Sequence, residues 1–212
     1  AKYLAADAAA AGIGKQGGSA TYYVGTPAQI EQRVEKAAAG DAVEVLLDVT
    51  PFYAEMGGEV GDTGVMFNAS ARACVSDTKA PEAGLHVHHV QVGEGTFKVG
   101  DVVTATVDDR LRAGIQRNHT ATHILHAALR QVLGDHVKQA GSYVGPDRLR
   151  FDFTHFEAMT PEQVTEVERV ANEQIMCATA TRIYETSLDA AREAGVTALF
   201  GEKYGETVRV VE

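Results

Sequence analysis

The spacing of apolar positions changes as the chain is read, and the changes divide it. From residue 42 to about 107, apolar and polar residues alternate in short runs: AVEVLLDV (42–49), VMFNA, ARACVSD, HVHHVQV and VVTATVD. A period of two is that of half-buried strands, and Gly, Pro and Asp turns separate these runs. VGEGTFKVGD (92–101) is read as a hairpin followed by a turn. Short strands at this spacing predict a small antiparallel β-barrel. From about Arg110 the period becomes 3.6, and RNHTATHILHAALRQVL (117–133) predicts an amphipathic helix capped by Asn118 and ending near Gly134.

Alternation returns in RLRFDFTH (148–155), where Leu149, Phe151 and Phe153 mark a half-buried strand. Thr160-Pro161-Glu162-Gln163 has the residues of a capping box with a first-turn proline. It opens a helix expected to turn Val164, Val167, Ala171 and Ile175 inward. TATRIYET predicts a strand, SLDAAREAG a short helix, and TALFGEKYGETVRVVE a hairpin-like end. Near the start, Thr26-Pro27-Ala28-Gln29 opens a helix of about ten residues that stops near Gly40. The Ala-rich AKYLAADAAAA is read as a helix end and GIGKQGGSA as a linker, with a frayed terminus as the alternative. The expected fold class is α+β, a β-barrel subdomain followed by helices on an antiparallel sheet. The expected boundaries are a leader at 1–20, the barrel subdomain at 21–110 and the second subdomain at 111–212.

Composition narrows the function. The 212 residues carry 19 Lys and Arg against 29 Asp and Glu, a net charge of −10. Such a chain repels phosphate backbones at long range, so any nucleic-acid contact must be local or depend on another part of a larger protein. Cys74 and Cys177 are too few for a disulfide scaffold and fit a reducing cytoplasm. No apolar run reaches the roughly 20 residues that cross a bilayer, and no signal peptide is visible.

The candidate chemistry is concentrated on the 117–133 helix. His119 and His123 are four apart, and His126 falls within about 60° of them around the helix. Three imidazoles on one stripe suggest metal binding; a polar face or satisfied core histidines are the alternative. The absence of Glu after His119 excludes the HExxH pattern. His86, His88 and His89 invite a second metal hypothesis, since positions 86 and 88 share a strand face, but no Cys or carboxylate cluster accompanies them, and surface strand histidines are the preferred reading. EMGGEVGDTG (55–64) is neither a P-loop nor a GxGxxG fingerprint. Its glycines imply positive φ or close approach, in structural turns or in a substrate-facing loop.

Four long strings, TPFYAEMGGEVGDTG (50–64), RNHTATHILHAALRQVLGDHVKQAGS (117–142), RLRFDFTHFEAMTPEQ (148–163) and ALFGEKYGE (198–206), closely resemble the editing domain of alanyl-tRNA synthetase. They occur in that family's order. Free-standing AlaX deacylases and the threonyl-tRNA synthetase editing domain resemble the second half more distantly. The resemblance implies an enzyme, a deacylase that hydrolyses Ser-tRNA(Ala) and Gly-tRNA(Ala) in the cytoplasm as part of a ligase. Its partners would be the tRNA(Ala) acceptor end and the remainder of the synthetase, with no membrane. The physical need is plain, because a small apolar pocket excludes neither glycine nor an added hydroxyl strongly. By the same resemblance, zinc is held by His119 and His123, with His126 a neighbour. Gln139 lies in the amino-acid pocket, and Gly57 and Gly58 meet the tRNA terminus.

The family's remaining zinc ligands, in a CxxxH motif, are matched by neither Cys74 nor Cys177, since positions 78 and 181 are both Thr. With two of four ligands identified, the expectation is weak or absent zinc binding and reduced deacylase activity. A free-standing trans-editing deacylase and a non-catalytic acceptor-end binding module are the alternatives. Ser142 has no His–Asp partners in view and no distinct claim as a nucleophile.

Overall fold

A computed structural model describes residues 3–5, 18–19, 35–82, 84–196 and 205–211. The chain separates into two compact units, one of residues 10–115 and one of residues 116–212 together with 1–9. Strand β1 (Tyr3–Ala5) belongs to the second. The first contains β2 (Gly18–Ser19), β3 (Lys36–Ala38), β4 (Ala42–Val45), β5 (Gly64–Phe67), β6 (Ala71–Glu82), β7 (Leu85–Lys98) and β8 (Val102–Val107).

These strands pair in the order β2-β8-β5-β6-β7-β3, with β4 also on β7, and every pairing is antiparallel. Among the described residues the path does not return from β3 to β2. Alternation on β6 buries Ala71, Ala73 and Val75 and exposes Arg72, Cys74 and Ser76. The buried set joins Val45, Phe52, Met66, Val90, Val92, Phe97 and Val103 in one core.

The second unit takes α1 (Asp109–Leu133) from Gln116 on, with β9 (Gln139–Val144), β10 (Leu149–Phe153), α2 (Pro161–Cys177), β11 (Ile183–Ser187), α3 (Leu188–Glu193) and β12 (Thr207–Val211). One core gathers Ala128 and Leu129 of α1, Val137, and Val167 and Val170 of α2, with Phe151 and Phe153 packed against it. Another gathers Ala191, Val196, Val208 and Val210 beside the sheet β1-β12-β11. The α2 cap forms as its sequence predicts. Thr160 Oγ1 accepts from Gln163 N at 3.3 Å and Gln163 Oε1 accepts from Thr160 N at 2.8 Å. The mixed architecture, antiparallel strands with a few helices, agrees with the α+β expectation.

Several local expectations are corrected. Helix α1 begins at Asp109, not Arg117, because Asp108 is the capping side chain. Its Oδ1 accepts from Arg110 N and Leu111 N, each at 3.0 Å. Residues 92–98 continue β7 instead of forming a hairpin, and the chain turns at Val99–Gly100. On α2, Val167 and Val170 are the buried pair, and Val164 and Ile175 are exposed. The strand expected from Thr179 is confined to Ile183–Ser187. Tyr3–Ala5 is a strand on β12, not a helix end, and Lys36–Ala38 is a strand where the early helix was to finish. The start of that helix, most of the leader and TALFGEKY (197–204) lie outside the described residues.

Candidate functional site

Helix α1 brings His119 and His123 together as their spacing requires. Their Nε2 atoms are 3.0 Å apart and their rings stack with centroids 5.0 Å apart at 28°. The face is fixed by a neighbour: Asn118, in mid-helix, donates from Nδ2 to Gly145 O at 2.8 Å. This ties α1 to the turn between β9 and β10. One turn further on, His126 is buried, its Nε2 lies 3.4 Å from Val137 O, and its ring is 5.1 Å from that of Phe151. The third histidine of the stripe therefore serves the core.

Burial sets the protonation of this face. Desolvation holds the His123 pKa down to about 4, and the neighbouring His119 and His126 add to the effect. Burial lowers His126 as well, the bond to Val137 O opposing it. At neutral pH His123 is an uncharged imidazole, the form that ligates a metal. Zinc takes nitrogen ligands at about 2.0–2.1 Å, which sets two nitrogens of a tetrahedral site roughly 3.3 Å apart. The observed separation suits an N–H···N bond and is within a few tenths of an ångström of that bite. The pair thus fits two zinc positions. Among the described residues no group of three or more His, Cys, Asp and Glu is arranged to hold a metal.

Gln139, half-buried, opens β9 and faces Phe153 across the irregular end of the β9–β10 ladder. Two residues earlier is Val137, whose carbonyl meets His126, so β9 begins next to the core end of the histidine stripe. Ser142 pairs with Phe151 in mid-ladder. Cys74 and Cys177 are exposed free thiols.

The glycine-rich segment belongs to the other unit. Met56 and Glu59 bond to each other through both backbone groups, N to O at 3.2 and 3.0 Å, around Gly57 and Gly58 at φ 63° and 89°. Two successive positive φ angles make the tight turn that glycine alone adopts without strain. The flanks are anchored: Glu55 N donates to Thr78 O at 2.9 Å, and Asp62 N donates to Tyr53 O at 2.9 Å. At Gly61 a Cβ would sit 2.1 Å from Thr78 O, so close backbone approach excludes any larger residue. Asp62 is 2% exposed. Its carboxylate accepts from Tyr53 N at 2.6 Å and from Arg112 Nε at 2.7 Å, and forms a second contact with Arg112 Nη2. Lys79 pairs with Glu55 and Asp77, which together raise its pKa.

Sequence reasoning missed the Asp62–Arg112 pair, since nothing local links positions fifty residues apart. It also placed His88 at the surface, whereas His88 is fully buried. Its Nδ1 is 2.8 Å from Val45 O and its Nε2 is 2.7 Å from Thr50 Oγ1. Both ring nitrogens are engaged, which leaves no nitrogen for a metal.

The first unit points to a class of protein, the class II tRNA synthetases. The family described as tRNA synthetases class II (A) matches residues 18–111. More particularly, the chain belongs to the family of the alanine–tRNA ligases. It is 56% identical to that of Acetivibrio thermocellus over 182 residues, 86% of this chain and 21% of the relative. It is 53% identical to that of Alkaliphilus oremlandii over 180 residues, 84% of this chain and 20% of the relative. The Myxococcus xanthus ligase is 54% identical over 180 residues, again 84% of this chain and 20% of the relative. The chain therefore spans about a fifth of the length of the relatives it matches. Among the described residues no helix is long and apolar enough to cross a membrane.

Proposed function

We propose that this chain carries the post-transfer editing activity of an alanine–tRNA ligase, hydrolysing serine and glycine wrongly esterified to tRNA(Ala). The observation that carries the reading is the His119–His123 pair, two Nε2 atoms 3.0 Å apart on α1, with His123 neutral at physiological pH. Its partners are the tRNA(Ala) acceptor end and the rest of the ligase, and its place of work is the cytoplasm. Zinc held by His119 and His123 would supply the Lewis acidity that makes water nucleophilic near neutral pH. Water attacks the ester carbonyl carbon, the bond to the terminal ribose oxygen breaks, and that oxygen takes the proton. His123 stays uncharged, and both rings are presented by the Asn118–Gly145 tie. Gln139 offers an amide to orient the water or the serine hydroxyl. Gly57 and Gly58 present backbone to the tRNA end.

The test is zinc-dependent hydrolysis of Ser-tRNA(Ala) by the 212-residue chain. Two imidazoles supply half of a tetrahedral donor set, so we expect weak zinc binding and slow hydrolysis that added zinc accelerates. His119→Ala is expected to lower both zinc affinity and rate by at least about tenfold. Equal rates in the two proteins would remove the histidine pair from the chemistry. RNA binding without hydrolysis at any zinc concentration would make the chain an acceptor-end binding module.

A further inference from the structure

A second histidine cluster lies in the same unit, on the segments that flank β9 and β10. His136 Nε2 and His155 Nδ1 are 2.8 Å apart, and the two rings lie with centroids 5.0 Å apart at 19°. Phe156 lies on His136 with centroids 4.4 Å apart at 26°, yet is 85% exposed. His155 thus holds His136 edge to edge through the N–H···N bond, and Phe156 lies on the face of His136, tilted 42° from His155 at 6.1 Å and open to solvent. The segments that carry it are fastened together. Thr154 N donates to Lys138 O at 2.9 Å and Lys138 N donates to Thr154 Oγ1 at 3.2 Å.

A single exposed phenylalanine is ordinary on a protein surface. This one differs in being held flat on one face and free on the other. It contributes nothing to the neighbouring core, whose aromatic members are Phe151 and Phe153. A flat ring whose orientation is already fixed is the geometry on which an unpaired nucleobase stacks, at little entropic cost to the protein. Charge restricts the kind of contact an RNA could make. A chain of net charge −10 cannot gather RNA through its long-range field, and stacking is a local interaction that needs no such field.

We infer that Phe156, backed by His136 and His155, is a stacking platform for an unpaired base of the RNA partner. The inference rests on the reading of the chain as a tRNA-acting module, and it adds a base-binding position outside the histidine pair on α1.

The probe is an RNA hairpin with an unpaired 3′ end carrying the fluorescent base 2-aminopurine at its last position. The unaltered 212-residue chain should quench the fluorescence saturably. Phe156→Ala should weaken binding by roughly fivefold to a hundredfold, the equivalent of one stacked base. Phe156→Trp should retain it, and the far-ultraviolet circular dichroism should be the same in all three proteins because the ring is outside the core. Binding by Phe156→Ala within twofold of the unaltered chain would overturn the platform while leaving hydrolysis at the α1 histidines standing. In that case the exposed ring would be a contact for protein. Failure of the unaltered chain to bind the RNA would overturn the platform and the tRNA reading together.

Discussion

His88 shows how much one residue can bind into a fold without chemistry of its own. Burial holds its pKa down to about 4 from the ordinary 6.5, the bond to Val45 O opposing the shift and His86 and His89 adding to it. The folded state therefore keeps the ring neutral where the unfolded chain protonates it. Stability is fully present above the unfolded pKa and falls as pH drops towards the folded one. Between pH 7 and pH 4 the loss from this residue should be about 3 kcal/mol, read from urea unfolding across that range. His88→Gln should flatten the pH slope, and an unchanged slope would reassign it to other groups. On β7 His88 is in phase with the core residues Val90 and Val92, but Val87, one residue out of phase, is buried as well. With valines at both parities in HVHHVQV, alternation alone did not say which face His88 takes.

Elements with local signals were the legible ones. Thr160 to Gln163 announced α2 by composition, and the cap is present. Asn118 looked like a cap because it heads the histidine run, but Asp108 starts the same helix ten residues earlier. The side chain of Asn118 is spent on Gly145. The glycine-rich loop was legible as tight backbone, but its reason was not. Its flanks are locked by Thr78, Tyr53 and Arg112, contacts that close only on folding. Gly61→Ala tests that close approach. A Cβ cannot occupy the 2.1 Å to Thr78 O, so the β6 backbone must move. A loss of about 2 kcal/mol or more is expected in chemical unfolding. A change under about 0.5 kcal/mol would mean that the loop yields freely.

At the scale of the whole molecule, charge bears on how RNA would be held under the proposed function. With 29 acidic and 19 basic residues, few cations are available to displace counterions from a phosphate backbone. Raising salt from about 50 mM to about 200 mM should weaken binding of the hairpin RNA by less than about tenfold. A protein making six to ten phosphate contacts loses roughly a thousandfold or more over that range. A fall of that size would place the main contact on phosphates instead of bases. The order of elements, strands then helices on strands, was legible because periodicity reports burial on one face. The second histidine cluster was not, since His136 and His155 meet only when the segments flanking β9 and β10 come together. Neither residue announces this in its own neighbourhood.

The anchoring of the glycine-rich turn bears on binding as an entropic matter. Glycines ordinarily leave a loop many conformations to lose when it closes on a ligand. Here the backbone on both sides of Gly57 and Gly58 is already committed. Ordering a free segment of roughly ten residues would cost on the order of 10–20 kcal/mol. The turn itself is also closed by the paired Met56–Glu59 bonds, so little of that cost would fall on binding, and a partner docking there would meet a surface whose shape was set at folding.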